Sequence, residues 1–326
     1  MRAIVQDSYG TADTWHLADI DRPEIGDGDV LVQVRAAGLD RGTWHLMTGL
    51  PYLGRLALGF RKPKQPVPGI DLAGTVVGIG SSVTRFEVGD EVFGIGRGSY
   101  AEYAAAREDK LARKPASLTF EQAAAVPVSG LTALQALRDA GRVLAGQHVL
   151  VIGASGGVGT YAVQLAKSFG AEVTGVCSTA KTDLVLALGA DHVLDYTRDD
   201  FADGTRRYDL ILDVGGNAPI ARLRRALTPS GTVVIVGGEG GGRWTGGIGR
   251  QLRAAARSPF VRQRLTMVMT KQRGADLEQL AQIVDAGELT PSIERTYPLD
   301  QAPEAMRHLE AGQARGKLVI TTMADG

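Results

Sequence analysis

The sequence predicts an α/β protein of two domains, one an all-β core and the other a doubly wound parallel sheet. Three observations carry this. The chain has 326 residues, and at roughly 100–200 residues per domain that length favours two. The hydrophobic period changes along the chain, from short alternating runs to apolar strands separated by helix-length segments. A glycine-rich strand–turn–helix passage stands at residues 148–159, near the start of the second pattern.

Taken in order, residues 2–6, 29–36, 73–78, 90–93 and 100–105 read as strands, bounded by turn clusters such as Gly26-Asp27-Gly28-Asp29 and Gly80-Ser81-Ser82. From residue 126 the pattern changes. Apolar β-branched runs at 148–152, 172–176, 192–194, 210–214 and 232–236 alternate with helical spacing at 161–169, 181–188, 220–227 and 276–286. Strands alternating with helices imply βαβ units and a parallel sheet covered on both faces. Past residue 291 short elements return: a strand near 293–297, a helix at 301–311 and a strand at 317–321. The tail is assigned to the first domain, so residues 1–125 and 288–326 form one domain and 126–287 the other.

Composition excludes several classes. Hydrophobic residues make up 44% and charged residues 22%, ordinary values for a soluble globular protein. Thirty-six basic and 36 acidic side chains balance, so no global field draws the chain to nucleic acid. Glycine, with 43 residues, runs at nearly twice its usual share of about 7%, without the Gly-X-Y period of collagen. No apolar run approaches the roughly 18 residues that span a bilayer, and the N-terminus turns polar too early for a signal peptide. The single cysteine, Cys177, forms no internal disulfide and no Cys-rich zinc site, and as a small filler at a strand end it fits a reducing, cytoplasmic setting.

The most informative passage runs from His148 to Gly159. Gly153, Gly156 and Gly159 follow a buried-type strand and open an apolar helix, the context in which a glycine pattern gains meaning. Small residues let the backbone approach a pyrophosphate, whose charge is stabilised at the helix N-terminus. Ser155, Gly156, Gly157 and Val158 are the residues placed to bind it. Gly159 lets the helix pack closely on the strand. A tight turn without a ligand is the competing reading.

The next strand is expected to end at the cofactor ribose. NAD-specific sites place an Asp or Glu there to accept from the 2′-hydroxyl. Here the residues are Ser178, Thr179 and Lys181, with no carboxylate before Asp183. Hydroxyls and an ammonium hold a 2′-phosphate where a carboxylate repels it, which predicts NADPH as cofactor. A solvated lysine at a helix start is the alternative.

At this point the chain resembles a known family, the zinc-free branch of the medium-chain dehydrogenases/reductases, in its quinone oxidoreductase (zeta-crystallin-like) and enoyl reductase group. The resemblance covers the whole chain through Pro68-Gly-Ile-Asp-Leu-Ala-Gly74, Val88-Gly-Asp-Glu-Val-Phe93, Tyr100-Ala-Glu-Tyr103, Gly130-Leu-Thr-Ala133, Ala154-Ser-Gly-Gly-Val-Gly159 and Gly316-Lys-Leu-Val319. It implies a GroES-like β-barrel domain, a Rossmann domain, a cleft between them, and a tail that returns to the barrel. It also implies a homodimer joined at the Rossmann sheet edge. Thr132, Tyr196 and Lys317 join Ser178, Lys181 and the glycine loop around the dinucleotide on the same ground.

Zinc-dependent relatives use a Cys near position 40, a His near position 70 and a further Cys before the Rossmann domain. This chain has Asp40, Gly69-Ile70-Asp71 and Pro127-Val128 there, so no metal is expected. Without a Lewis acid, simple alcohol oxidation loses its main mechanism, whereas a quinone or conjugated alkene needs only hydride and a proton. The proton donor is sought between Gly38 and Tyr52. Tyr52 ranks first, because a neutral phenol hydrogen-bonds a developing enolate without repelling it, and Asp40 and His45 follow. Each has an alternative as a packing or loop residue, and Trp44 is equally a core or a cleft residue.

Residues 240–275 carry eight basic side chains (Arg243, Arg250, Arg253, Arg257, Arg262, Arg264, Lys271 and Arg273) and no acid before residue 276. They read as a solvated helix face, with an acidic partner, a membrane surface or an anionic substrate tail as alternatives. The glycines of 237–249 read as a loop over the nicotinamide. The expected function is NADPH-dependent reduction of a small quinone or α,β-unsaturated carbonyl. A carbonyl/alcohol dehydrogenase and a non-catalytic NADPH-binding structural or regulatory protein are the alternatives, which turnover on a substrate panel separates.

Overall fold

In the computed structural model the described residues are 1–215, 217–237, 242–247, 249 and 262–322. The chain forms two units, 1–131 with 271–326 and 132–270. The first unit holds strands β1 (Arg2–Gln6), β2 (Trp15–Asp19), β3 (Asp29–Leu39), β4 (Asp71–Ile79), β5 (Glu91–Ile95), β6 (Tyr103–Arg107) and β7 (Leu111–Arg113). The second holds β8 (His148–Ile152), β9 (Glu172–Cys177), β10 (His192–Asp195), β11 (Tyr208–Asp213), β12 (Leu227–Ile235) and β13 (Arg264–Met267). The chain then returns to the first unit with β14 (Ile293–Pro298) and β15 (Lys317–Thr321).

In the first unit β1 pairs with β2, and a larger sheet runs β14-β15-β3-β4-β5-β7, with β6 also paired to β3. β3 is the spine. Its even-numbered valines, Val30, Val32 and Val34, are fully buried and meet Leu72, Val76, Val92, Leu318 and Ile320 in one core. Alternation puts these side chains on one face, and their burial drives pairing of the strands that carry them. The C-terminal strand enters antiparallel to β3, with Leu318 opposite Leu39. The expected return of the tail is therefore present as β15.

The second unit is a six-stranded sheet in the order β10-β9-β8-β11-β12-β13, every pair parallel. This is the doubly wound order, with β8 and β11 flanking the reversal point where such sheets bind ligands. Helix Gly157–Ser168 packs on β8 and β9 and buries its residues from Gly159 to Ala166. Phe201, Leu223 and Leu265 complete a core with Leu150, Ile211 and Val233.

The division between the units differs from the expected residues 126–287. Helix Gly274–Asp285 lies in the first unit, where Leu277, Leu280 and Val284 are buried and the helix packs on β7. Arg85 binds Glu278 at 2.5 Å and ties that helix to the same unit. A helical pattern shows that an apolar stripe exists, and not which core receives it. β2 and β13 were not anticipated: β2 exposes most of its residues, and β13 has four residues with only Leu265 buried.

Of the basic stretch, Arg250, Arg253 and Arg257 lie outside the described residues, as do residues 238–241 and 248 of the glycine segment. Arg243, Arg262, Lys271 and Arg273 are exposed, while Arg264 donates to the carbonyl of Ala140 at 2.7 Å. Among the described residues, no helix is long and apolar enough to cross a membrane.

Candidate functional site

The glycine-rich loop expected to cradle a phosphate follows β8. Gly153 adopts φ +85°, and a Cβ there would stand 2.8 Å from the amide nitrogen of Gly215, at the end of the segment that follows β11. Gly156 is the N-cap of helix Gly157–Ser168 and has no capping side chain, so the first amides of the helix point to an open end. A Cβ on Gly159 would meet the carbonyl oxygen of Gly153 at 2.1 Å, which only glycine permits. Ser155 is buried, and Gly156, Gly157 and Val158 are partly exposed. This cradle fits the pyrophosphate of a dinucleotide, because its donors are backbone N–H groups at the positive end of a 12-residue helix.

β9 ends at Cys177. Its buried thiol is pushed up to about 11, mainly by burial, which fits a packing role. Ser178 precedes the short turn Thr179–Lys181 without a side-chain capping bond, and the Lys181 amide donates to the Ser178 carbonyl at 2.9 Å. Tyr196 is 64% exposed beside this turn, its amide bonded to the Cys177 carbonyl at 3.1 Å. Thr132 pairs its hydroxyl with that of Thr270 at 3.0 Å. The fold adds a residue that sequence reasoning missed. Asp195 closes β10 opposite Cys177 and accepts from the hydroxyls of Thr179 and Thr197, which hold its carboxyl at about 2. Parallel pairing of β9 and β10 was the available signal, since it aligns their C-terminal ends.

In the first unit the three candidate proton donors have separate surroundings. Asp40 is the N-cap of helix Arg41–Thr48, accepting from the Thr43 amide at 2.9 Å. Its Oδ2 is buried and has no hydrogen-bond partner among the described residues. His45 engages the Leu50 carbonyl through Nδ1 at 2.8 Å, so Nδ1 carries the proton and Nε2 remains as the basic atom. Trp44 donates to Glu310 at 2.8 Å and lies edge-on to His45, half-buried against the core. Tyr52 follows the cis Leu50–Pro51 bond, and the Arg55 guanidinium lies 4.7 Å from its ring centre and 4.3 Å from that of Tyr9. Arg55 is fixed in turn by the Gly49 and Thr48 carbonyls.

Lys317 is 1% exposed and faces Asp71, which also accepts from the Val128 amide at 3.0 Å. Burial pushes the Asp71 carboxyl up to about 8, against the pull of Lys317, and Asp40 adds to the rise. Tyr100 donates to the Gly38 carbonyl at 3.1 Å, its phenol raised by the same burial. Lys317 was expected around the dinucleotide; its nearest charged partner is Asp71.

A cavity of about 350 Å³ opens in the first unit. Leu46, Leu58, Val67 and Ile70 supply apolar walls, Tyr9 adds an aromatic one, and Arg97 and Lys110 stand among its polar lining. Tyr9, and none of Asp40, His45 or Tyr52, lines it. Among the described residues no group of three or more His, Cys, Asp or Glu side chains is placed to hold a metal ion.

Residues 26–116 match the family model described as an alcohol dehydrogenase GroES-like domain, and residues 188–320 match that described as a zinc-binding dehydrogenase. The chain is 32% identical to a chloroplast envelope quinone oxidoreductase homolog of Arabidopsis thaliana over 98% of both chains. It is 33% identical to a 2-methylene-furan-3-one reductase of Solanum lycopersicum, over 98% of this chain and 79% of that one. The solved quinone oxidoreductase of Coxiella burnetii superposes with a TM-score of 0.88 at 31% identity, over 99% of both chains.

Proposed function

The chain belongs to the quinone oxidoreductase group of the zinc-free medium-chain dehydrogenases/reductases, and on that premise we propose that it reduces quinones or α,β-unsaturated carbonyls with hydride from NADPH. It is an oxidoreductase that uses a nicotinamide cofactor. The observation that carries the reading is the capless helix start at Gly156, set at the reversal point of the sheet, with Ser178 and Lys181 after the next strand. The cofactor supplies hydride. Ser155 to Val158 bind its pyrophosphate; Ser178 and Lys181 hold the 2′-phosphate; Thr132 and Tyr196 border the same nucleotide.

The substrate's electron-poor carbon accepts the hydride, and the displaced electron pair moves to the carbonyl or quinone oxygen. Tyr52 donates a hydrogen bond and then a proton to that oxygen, with Asp40 and His45 as the other groups able to move it. Lys317 acts from the first unit by pairing with Asp71. The residues at positions 40, 70 and 127 lack the thiolates and imidazole that hold a catalytic zinc in metal-dependent relatives, so the reaction proceeds without one.

A homodimer through the edge strand β13, and a cytoplasmic setting consistent with the single buried thiol, belong to the same proposal. The test is NADPH consumption against a quinone, an enone, an enal and a simple ketone. Turnover of the first three and none of the ketone is expected. Oxidation of simple alcohols with NADP⁺ at comparable rates would place the protein with the alcohol dehydrogenases.

A further inference from the structure

The carboxylate of Asp195 closes β10 beside the end of β9, and its acceptor sites are already filled. Its Oδ1 accepts from the amide and hydroxyl of Thr197, at 3.0 and 2.7 Å. Its Oδ2 accepts from the Thr179 hydroxyl and from Nε of Arg198, the latter at 3.1 Å. An ionised carboxylate has about four lone-pair sites, so none is left for a ribose. The side chains are arranged in depth as well. That of Asp195 is 2% exposed and that of Arg198 69%. A ligand approaching from solvent therefore meets the guanidinium, with the carboxylate beneath it.

Register brings this pair to the cofactor end of the sheet. Asp195 lies opposite Cys177 across the parallel β9–β10 ladder, one residue before Ser178 and two before Thr179. Arg198 binds Asp195 through Nε alone, and its remaining N–H groups have no partner among the described residues. A guanidinium held at one edge presents a planar pair of donors that matches a phosphate.

We propose that Arg198 is a second cation for the 2′-phosphate of NADPH, held in place by Asp195 and acting beside Ser178 and Lys181. Asp195 is a positioning residue: it takes up the Thr179 hydroxyl and aligns Arg198 without touching the ligand. The proposal rests on the NADPH reading above and names a specificity residue within it.

Calorimetric titration with adenosine 2′,5′-bisphosphate and with 5′-AMP tests it without any turnover. The wild type should bind the bisphosphate more tightly than 5′-AMP. Arg198→Ala should weaken bisphosphate binding by about 10- to 150-fold, the range of one charge-assisted contact, and leave 5′-AMP within about twofold. Arg198→Lys should recover part of the loss, since the charge returns without the planar fork. Asp195→Asn, first checked for an unchanged thermal melt, should weaken the bisphosphate several-fold and spare 5′-AMP. Tighter bisphosphate binding by that variant would show that Asp195 only repels the phosphate, and would overturn its positioning role. If Asp195→Asn melts early, Arg198→Ala decides alone, its own thermal melt serving as the control because Arg198 is a partner of the buried Asp195. A wild type with no preference for the bisphosphate would sink the NADPH reading itself. A wild-type preference that survives Arg198→Ala would remove Arg198 alone.

Discussion

The ammonium of Lys317 lies 3.5 Å from Oδ2 of Asp71, and the two side chains are 1% and 0% exposed. Once Asp71 ionises, above about pH 8, two charges lie out of water at a cost that their attraction offsets only while both partners are present. Asp71 and Lys317 are 246 residues apart in sequence, so their pairing links the first residue of β4 to the first residue of β15.

Removing one partner should therefore be severe. Above about pH 8, where Asp71 is ionised, Lys317→Met should cost about 3–5 kcal/mol of stability, read from urea denaturation. Asp71→Leu combined with Lys317→Met should recover most of it, because no buried charge remains. A double variant as unstable as the single one would show that packing around Lys317, and not its charge, matters.

The raised Asp71 carboxyl makes stability depend on pH. In the unfolded chain an Asp titrates near about 3.9. In the folded protein burial keeps Asp71 protonated to about 8. Between these values the folded state binds more protons, so this contribution is full below about pH 4, declines as pH rises, and is lost above about pH 8. Asp71→Asn should flatten that portion of a urea-midpoint series. An unchanged slope would assign it to other groups.

Lys181→Glu probes the other end of the proposed cofactor. A charge-assisted contact contributes about 1.5–3 kcal/mol, equivalent to roughly a 10- to 150-fold preference for NADPH over NADH. The variant should erase most of this preference, with little change in kcat for NADH. The readout is kcat/KM for both cofactors, and an unaltered ratio would take Lys181 out of the site.

Tyr52→Phe should lower kcat by about 10²–10⁴ if Tyr52 is the sole proton donor. Its ring is packed under Arg55, so KM and the melting temperature serve as controls for a local shift. A rate close to that of the wild type would mean that water delivers the proton.

Dialysis against a strong chelator should leave turnover intact. Stoichiometric zinc by elemental analysis, with activity following its loading, would contradict a reaction that relies on hydride and a side-chain proton alone.

The phosphate loop was legible because its signal is local: strand, glycine turn and helix stand within 21 consecutive residues, His148–Ile152 and Gly157–Ser168. The return of the tail was legible because residues 317–321 again read as a strand. Asp195 was not, since it meets Thr179 from 16 residues away, and only through the pairing of two parallel strands. Asp71 stands in a recognisable Pro-Gly-Ile-Asp motif, but its partner Lys317 becomes apparent only once β15 is set beside β3. Helix Gly274–Asp285 was anticipated as a helix and assigned to the wrong unit, because amphipathicity does not name the surface it covers.

The position of β15 between β14 and β3 bears on how the protein is made. A ribosome delivers β3 early and residues 317–321 near the end. At roughly 5–20 residues per second, β3 waits on the order of tens of seconds for its neighbour. Residues 132–270 form one uninterrupted stretch and can close during that interval. The unit begun first is completed last. Until then the end of β3 at residues 36–39, beyond the part that β6 covers, is bare on one edge and Asp71 is without its cation, so the nascent chain has a defined period in which a chaperone would find a short strand edge to cover.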